Sequence, residues 1–370
     1  MMMSILCSFV LSVGLLDVII SSSAVLNGRN FNINVKGGHW EYDKNAKPPY
    51  SYSPEVCNSS YIQYVDCQKT DDFCPSTLMN WIYKDKDDRP YPKFNVYDFR
   101  RIMMDTRIIF LGSSLVRQQV QALVWTLGHD KVEWNETLAN CSSTRWCMHD
   151  VRSNITICHQ WMAMLATKIY HERKYIIDHP TLHGINSSSC ILHDDMIDEI
   201  TQFDLVFVQG SVVWYAGLPL KLNSTSSPLK WVTNMLPVIY YDAMEALLSK
   251  ISHRTKTVFV LGQTGTKCQN KTVPELVSMS NIPNSYGWNE APKLWATSLT
   301  LIRESELNVQ VVDAREPLMQ SVHAHPALAP DCMHFCMNSA AINIYLDMYW
   351  TEVFSTHVVN EAAVLDRPKK

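Results

Sequence analysis

The 370-residue chain lacks internal repeats, low-complexity tracts and any basic run beyond the final Arg367-Pro-Lys-Lys370. Its formal net charge is -4 at pH 7. Because nucleic-acid-binding proteins need a strongly basic surface, these features argue against nucleic acid as the main partner. A chain of this length can instead bury a large core, as one large α/β domain or two smaller ones.

Apolar runs long enough to cross a bilayer are also missing after the N-terminus. The stretch from Ile5 to Ile20 is short for a membrane span, carries Asp17, and has no Lys or Arg before it. The small residues Ser22-Ser23-Ala24 that follow resemble a signal-peptidase site. We therefore expect residues 1–24 to be a signal peptide, with a signal anchor that associates with membranes through residues 4–20 as the alternative.

Cysteines and glycosylation sequons agree with a secretory route. Without Cys7, the chain keeps an even number of cysteines, which behind a secretion signal predicts up to about five disulfides. The disulfide candidates are Cys57, Cys67, Cys74, Cys141, Cys147, Cys158, Cys190, Cys268, Cys332 and Cys336. The Asn-x-Ser/Thr candidates for glycosylation are Asn58, Asn135, Asn140, Asn154, Asn186, Asn223 and Asn270. Together they predict residence in the secretory pathway, either in the Golgi lumen or as a secreted protein.

The pattern of apolar residues divides the chain near residue 106. Residues 25–105 show no long periodicity and are rich in Tyr, Asp, Pro and Cys, which predicts a loop-rich, disulfide-pinned segment packed on the main domain. Over 106–360, strands alternate with helices, which predicts an α/β domain with a mostly parallel sheet covered on both faces. Strands are expected at 108–111, 155–161, 203–210, 257–262 and 309–314, and helices at 116–127, 232–251, 292–307 and 340–354. The sequon-bearing segments of 131–195 are expected to be surface insertions.

The first candidate catalytic residue is Ser114, which follows Gly112 and Ser113 at a strand-to-helix junction. A serine held there projects its hydroxyl at the carboxyl edge of the sheet, where open α/β sheets bind ligands. The helix amino terminus and nearby backbone N–H groups favour a developing negative charge. A plain serine N-cap is the simpler interpretation of the same pattern.

The second candidate cluster lies before the last helix and contains Asp331 and His334, three residues apart. Histidine is the usual general base near neutral pH, and a nearby carboxylate can hold its tautomer and stabilise its cation. Cys332 and Cys336 predict a disulfide clamp on this loop. A solvated surface pair and a Cys/His zinc site are the alternatives.

These blocks, read together, resemble the trichome-birefringence-like proteins of the SGNH/GDSL or PC-esterase group. The stretch from Gly112 to Gln119 resembles their Gly-Asp-Ser block. The stretch from Asp331 to Cys336 resembles their Asp-x-x-His block with its flanking cysteines, and His325-Pro326 the His-Pro before it. The strand from Phe203 to Trp214 and the Gly-x-Trp at Gly38 also have counterparts, so the resemblance spans roughly residues 38–355.

The resemblance implies a flavodoxin-like three-layer sandwich and a catalytic triad of Ser114, His334 and Asp331. It further implies O-acetyl transfer to cell-wall polysaccharides in the Golgi through an acetyl-serine, with a glycan acceptor and an acetyl carrier such as acetyl-CoA as co-substrate. No bound cofactor or metal is expected. For the oxyanion, the position of the strand ends suggests the backbone N–H groups of Ser114 and Gly210 and the side-chain amide of Gln209.

The sequence departs from the family at three places. Ser113 stands where the family has Asp, Gln209-Gly210-Ser211 replaces an Asn-Thr-Gly-His type sequence, and no arginine accompanies Gly262-Gln263-Thr264. These changes favour a divergent branch that acts on a different glycan. Two alternatives remain open, a secreted carbohydrate esterase with the same triad and a non-catalytic glycan-binding homologue.

Overall fold

A computed structural model describes residues 38–43, 45, 81–128, 133–137, 144–162, 194–210, 228–262, 290–321, 334–337 and 339–355, with 25–26, 29–30, 166–167, 191–192 and 324. The chain divides into two compact units, Met1–Asn34 and Val35–Lys370. In the first unit, Val25–Leu26 (β1) pairs antiparallel with Arg29–Asn30 (β2). The predicted signal segment, residues 1–24, lies outside the described residues.

The second unit is built from strands and helices in alternation. Its strands are His39–Tyr42 (β3), Trp81–Lys84 (β4), Arg107–Gly112 (β5), Glu133–Thr137 (β6), Thr144–Asp150 (β7), Ile155–Trp161 (β8), Ala166–Thr167 (β9), Ile191–Leu192 (β10), Leu205–Gln209 (β11), Lys256–Leu261 (β12) and Val309–Asp313 (β13). Its α-helices among the described residues are Val96–Ile102 (α1), Ser114–Thr126 (α2), Asp194–Ile200 (α3), Pro228–Ile251 (α4), Ala291–Glu304 (α5), Arg315–Met319 (α6) and Ala340–Tyr349 (α7). A π-helical turn, Trp350–Phe354, continues α7.

Seven strands form the central sheet in the order β13-β12-β11-β5-β8-β7-β6. Strands β13, β12, β11, β5 and β8 are mutually parallel, and β7 runs antiparallel to both of its neighbours. Numbered along the chain, the five parallel strands therefore lie in the order 2-1-3-4-5, one of the common orders of doubly wound α/β sheets. The predicted α/β class with a mostly parallel sheet is confirmed.

Helices cover both faces of this sheet because its central strands are apolar on both faces. On one face, Ile109, Leu111 and Val208 pack with side chains of α3, α4 and α5. On the other face, Phe110 and Phe207 stack at 4.4 Å between ring centroids and pack with α1, α2 and α7. Successive residues of β5 and β11 thus supply alternate faces.

The segment 133–150 is where the expectation of a surface insertion is wrong. Residues Glu133–Thr137 and Thr144–Asp150 are strands β6 and β7, which extend the sheet beyond β8. Trp146 and Met148 alternate inward and are each 3% exposed, so this edge belongs to the core. Strand β7 also contains the buried charged residues Arg145 and Asp150, which interrupt the apolar–polar alternation that indicates a strand.

Within the second unit, Trp40, Lys93 and Phe94 of the N-terminal segment contact α6 and α7. The indole N–H of Trp40 donates to the carbonyl of Pro317 at 2.7 Å. Asp347 accepts from the backbone N–H of Phe94 at 2.8 Å and from Lys93 Nζ at 2.9 Å. The cysteines predicted to pin this segment, Cys57, Cys67 and Cys74, lie outside the described residues. Within the part of the chain that the structure describes, no helix is long and apolar enough to cross a membrane.

Candidate active site

The candidate site lies at the carboxyl edge of the sheet, between β5 and β11. This is the switch point of the strand order, because the chain leaves β5 toward β8 on one side and β11 lies on the other. Loops leave two adjacent strands in opposite directions at such a point and open a crevice between them. Ser114 begins α2 two residues after Gly112, the last residue of β5. Gln209 is the last residue of β11, and Gly210 follows it.

Helix α2 begins abruptly at Ser114. Ser113 is its N-cap residue, with extended backbone angles of φ -85 and ψ -161, and its side chain forms no capping hydrogen bond. The first intrahelical bond runs from the N–H of Arg117 to the carbonyl of Ser113. The N–H groups of the residues between them therefore precede the helical ladder and point out of the helix amino terminus. A negative charge next to Ser114 would face these donors and the positive end of the helix dipole.

Gly112 lets strand and helix meet at this sharp junction. A Cβ atom on residue 112 would lie 2.4 Å from Cγ2 of Val116, one turn into α2. Real Cβ atoms do not approach other carbons that closely, so a side chain here would push the helix away from the strand end. The position of Ser114 thus depends on the absence of a side chain two residues earlier.

The structure brings Ser114 and His334 together. Nε2 of His334 lies 2.6 Å from Oγ of Ser114, although 220 residues separate them in the chain. His334 is 9% exposed, and Ser114 is half-buried. A hydroxyl within hydrogen-bond reach of an imidazole nitrogen is the arrangement that activates a serine nucleophile. Asp331, the predicted orienting acid, lies outside the described residues.

Gln118 holds the backbone next to His334. Its Nε2 donates to the carbonyl of Phe335 at 2.8 Å, and its Oε1 accepts from the N–H of Phe335 at 3.3 Å. Both residues are buried. One amide therefore satisfies both polar groups of the residue that follows the candidate base.

The neighbouring Gln119 joins α2 to the end of β11 and to α7. Its Nε2 donates to Oε1 of Gln209 at 3.2 Å, and its Oε1 accepts from the hydroxyl of Tyr349. A Cβ on Gly262 would lie 1.7 Å from Nε2 of Gln209, so the Gln209 amide rests directly on the backbone after β12. These side chains form a buried neutral chain across the carboxyl edge.

The predicted oxyanion donors occupy different environments. The side-chain amide of Gln209 lies within the buried chain between Gln119 and Gly262. Gly210 lies next along β11, and a Cβ there would be 2.2 Å from the hydroxyl of Tyr240. Because Val208 pairs with Leu111, Gly210 lies level with the start of α2. The backbone N–H groups of Ser114 and Gly210 therefore belong to the same sheet edge.

The opposite flank of Ser114 carries Arg117, Trp161 and His159. The guanidinium of Arg117 lies over the Trp161 ring at 5.4 Å, and Trp161 pairs with Gly112 in the sheet register. His159 is fully buried against the backbone of Gly112 and Ser113, and burial together with the nearby Arg117 charge lowers its pKa to about 3. His159 is therefore a neutral imidazole under the nucleophile turn at ordinary pH.

The described cysteines favour disulfides over zinc. Cys147 and Cys158 form a disulfide across the paired strands β7 and β8. Cys336 is also disulfide-bonded, and its partner lies outside the described residues. A disulfide sulfur cannot serve as the thiolate that zinc requires, so Cys336 does not fit the zinc alternative. The remaining predicted cysteines, namely Cys57, Cys67, Cys74, Cys141, Cys190, Cys268 and Cys332, lie outside the described residues.

One cluster of potential metal ligands occurs in the described part of the chain, distant in sequence from Ser114 and His334. Ligand atoms of His39, Glu41 and Asp88 lie within 4.8 Å of one another, and all three side chains are exposed. The ammonium of Lys84 contacts both carboxylates. Because a cation already lies between these acids, the cluster is an ion-pair network on the antiparallel pair of β3 and β4.

Two predicted sequons lie among the described residues. Asn154 occupies the exposed turn between β7 and β8, with a positive φ of 53, and Asn135 lies in the edge strand β6. Neither position tests glycosylation itself. The sequons at Asn58, Asn140, Asn186, Asn223 and Asn270 lie outside the described residues.

Comparisons with known proteins assign no function to the site. No protein-family model matches the chain, and no curated protein matches it. Among similar solved structures is one of the chloroplast translocon components atToc33 and psToc159, described for the importance of dimerization in their GTPase activity. It is 11% identical, covers 74% of this chain and 91% of that chain, and has a TM-score of 0.29. A similarity this low carries no argument about function.

The two glutamines of α2 are functional candidates that the sequence did not predict. A polar side chain on a helix ordinarily indicates the solvent-exposed face, yet Gln118 and Gln119 are 2% and 1% exposed. The two glutamines are adjacent and interrupt an apolar stripe of the helix, and this was the sequence signal for their burial. The stripe consists of Leu115, Val116, Val120 and Leu123. Two consecutive polar residues inside such a stripe indicate buried hydrogen bonds.

Proposed function

We propose that the protein is an O-acetyltransferase that moves acetyl groups onto a polysaccharide or glycan through an acetyl-serine on Ser114. His334 is the general base, and Asp331 is the acid that orients it. The 2.6 Å contact between His334 Nε2 and Ser114 Oγ carries the proposal. The strand order 2-1-3-4-5, with Ser114 at the switch point, supports a flavodoxin-like, SGNH-type sandwich as its scaffold.

The first half-reaction forms the acyl-enzyme. His334 Nε2 takes the proton as Ser114 Oγ bonds to the acetyl carbonyl carbon, and the carbonyl oxygen becomes an oxyanion. Backbone N–H groups at the amino terminus of α2 and at Gly210 are the donors that this geometry offers to the oxyanion. The bond to the donor's leaving atom then breaks, and that atom receives the proton from His334.

The second half-reaction decides between the two catalytic hypotheses. A sugar hydroxyl gives its proton to His334 as its oxygen bonds to the acetyl carbon. The bond between that carbon and Ser114 Oγ then breaks, and Oγ takes the proton from His334, which releases the acetylated glycan. Attack by water through the same steps releases acetate and would make the protein a carbohydrate esterase. We favour transfer because the sequence blocks around Ser114 and His334 resemble those of O-acetyltransferases. Residence in the secretory pathway, a glycan acceptor and an acetyl carrier such as acetyl-CoA belong to the same proposal.

The test is to incubate the purified protein with a small activated acetyl ester and to follow acetyl on Ser114 by intact mass and peptide mapping. We expect an adduct of one acetyl group, discharged faster by one class of oligosaccharide than by water. The matched control is Ser114→Ala, which keeps the helix start and removes only the hydroxyl.

Each outcome discriminates among the hypotheses. Discharge at the same rate with every added sugar would favour the esterase. An acetylated Ser114→Ala protein would place the nucleophile elsewhere. A folded wild-type protein with neither adduct nor ester turnover would overturn the enzymatic proposal in favour of a glycan-binding homologue.

A further inference from the structure

We propose that Gln118 is a positioning residue that sets the candidate base His334 against the nucleophile Ser114. The proposal rests on the proposed function only in treating Ser114 and His334 as the reacting pair. It assigns a role to the side chain four residues after the nucleophile, on the same face of α2.

The geometry couples nucleophile and base through one helix. Residues four apart on an α-helix are neighbours on one face, so Ser114 and Gln118 project to the same side of α2. Ser114 contacts the ring of His334, while Gln118 contacts the backbone of the next residue, Phe335, through two hydrogen bonds of 2.8 and 3.3 Å. Any displacement of α2 therefore moves the nucleophile and the support of its base together.

Burial makes this clamp specific for an amide. Gln118 is 2% exposed and Phe335 is 1% exposed, so water does not replace either hydrogen bond. Only a carboxamide, or a protonated carboxyl group, can donate and accept at the same time with this shape. An asparagine is one methylene too short for the same reach from α2.

Other described contacts of this segment act on the Phe335 ring and on the residue after it. The N–H of Cys336 donates to the carbonyl of Ala324 at 2.8 Å, and the Phe335 ring packs in the core with Met337. These contacts keep the segment folded, whereas Gln118 fixes the backbone that directly follows His334. A loss of the clamp should therefore displace the imidazole without releasing the loop, and misplacement by about 1 Å can lower a catalysed rate roughly 100-fold.

The experiment measures the reactivity of Ser114 without requiring a glycan or an acetyl donor. The probe is a small fluorophosphonate, which labels serines activated by a neighbouring base, and labelling rates are measured from about pH 5 to 9, the range in which histidine titrates. Gln118→Met removes both hydrogen bonds while keeping the length of the side chain. We expect its labelling rate to fall by a factor of about 10–100 at every pH.

Gln118→Glu is the second variant. An ionised carboxylate at this position accepts from the Phe335 N–H but cannot donate to the Phe335 carbonyl, whereas the protonated acid does both. The rate relative to wild type, taken at each pH, should therefore rise as the pH falls. A residue that supports only stability would not produce this pH dependence.

The matched control is Ser153→Ala, which removes a buried hydrogen bond to Asp150 at the other edge of the sheet. It should lower the melting temperature while leaving the labelling rate per folded molecule unchanged. Ser114→Ala defines background labelling. Ring signals of His334 in NMR spectra, identified with His334→Gln, provide a readout that does not depend on reactivity.

We expect Gln118→Met to shift the His334 ring signals and Ser153→Ala to leave them in place. Unshifted His334 signals in Gln118→Met, or a wild-type labelling rate in that variant, would overturn the clamp. If glycan acetylation fails while the Gln118 variants show these effects, the proposed acceptor chemistry is wrong and the clamp stands.

Discussion

The two ends of helix α2 differ in the groups that lie next to the terminal backbone N–H and C=O groups, which have no partner within the helix. At its carboxyl end, Arg100 donates to the carbonyl of Leu127 at 2.6 Å and forms an ion pair with the fully buried Asp150. The positive charge of Arg100 thus lies next to the negative end of the helix dipole. At its amino end, Ser113 does not cap the helix with its side chain, and Ser114 lies next to His334.

The difference separates a helix end that is stabilised by groups of the chain itself from an end whose N–H groups lie beside the candidate nucleophile Ser114. The carboxyl end of α2 is satisfied by charged groups of the chain itself. At the amino end, the buried side chains that surround the site, Gln118, Gln119 and Gln209, are neutral and face one another or the backbone. A developing anion there would meet the helix N–H groups, with the Arg117 guanidinium on the flank over Trp161. Substitutions at the two ends should consequently separate chemistry from stability.

The largest effect is expected at the amino end from His334→Gln. Loss of the base should lower the rate of Ser114 acylation by a factor of at least about 1,000, because an unassisted serine hydroxyl is a poor nucleophile. The rate is measured by mass spectrometry with an activated ester, and the melting temperature should stay close to that of wild type. Acylation at the wild-type rate would exclude His334 as the base.

At the carboxyl end, Arg100→Met should affect stability alone. It removes the cation paired with the buried charge of Asp150, and breaking a buried ion pair typically costs about 3–5 kcal/mol of the free energy of unfolding. Urea unfolding measures the loss, and acylation per folded molecule should match wild type. The added change Asp150→Asn, which removes the buried charge, should recover part of the stability. If the single substitution lowers activity per folded molecule, the two ends are coupled and the comparison fails.

The disulfide between Cys147 and Cys158 lies between the two ends, because Cys158 pairs with Ile109 in the middle of β5. Replacing both cysteines with alanine should lower the free energy of unfolding by about 3 kcal/mol, as expected for a short closed loop. Thermal unfolding of the variant measures this change. The acylation rate should be unaffected, and a selective loss of activity would indicate that the β7–β8 edge also shapes the site.

The smallest effect, taken per pH unit, is a slope of stability with pH that arises at Glu352, in the π-helical turn after α7 and away from both ends of α2. Burial raises the pKa of Glu352 to about 8, against the hydrogen bond from Tyr91, and the charge of Asp313 raises it further. The folded protein therefore keeps a proton that the unfolded chain loses above about pH 4.5, so stability should fall between about pH 4.5 and 8 by at most about 1.4 kcal/mol per pH unit. In Glu352→Gln that part of the slope should disappear from urea unfolding curves taken across this range. An unchanged slope would show that Glu352 is ionised in the folded protein.

The continuous apolar runs of β5, β11 and β12 made most of the sheet predictable, because parallel strands buried on both faces carry a strong signal. Strands β6 and β7, at one side of the sheet, were mistaken for surface insertion, since a sequon in β6 and charged residues in both strands interrupt their alternation. Ser114 and His334 were found as residue types in suitable local patterns. Their 2.6 Å contact was not accessible from the sequence, because it depends on the packing of α2 against the segment before α7.

The hydrogen-bond partners of the buried glutamines are not predictable from the local sequence. Local sequence shows that Gln118 and Gln119 interrupt an apolar stripe, but not which backbone groups they meet. Their partners, Phe335 for one and Gln209 and Tyr349 for the other, come from distant parts of the chain. A hydrogen bond between such segments is a property of the assembled tertiary structure.

The separation of 220 residues between Ser114 and His334 has a consequence for biosynthesis. At roughly 5–20 residues per second, the ribosome adds the base about 10–45 s after the nucleophile. Throughout that interval the serine hydroxyl has no imidazole of His334 beside it. Under the proposed function, reactivity would appear only when the segment before α7 packs against α2, so completion of the fold would switch the chemistry on.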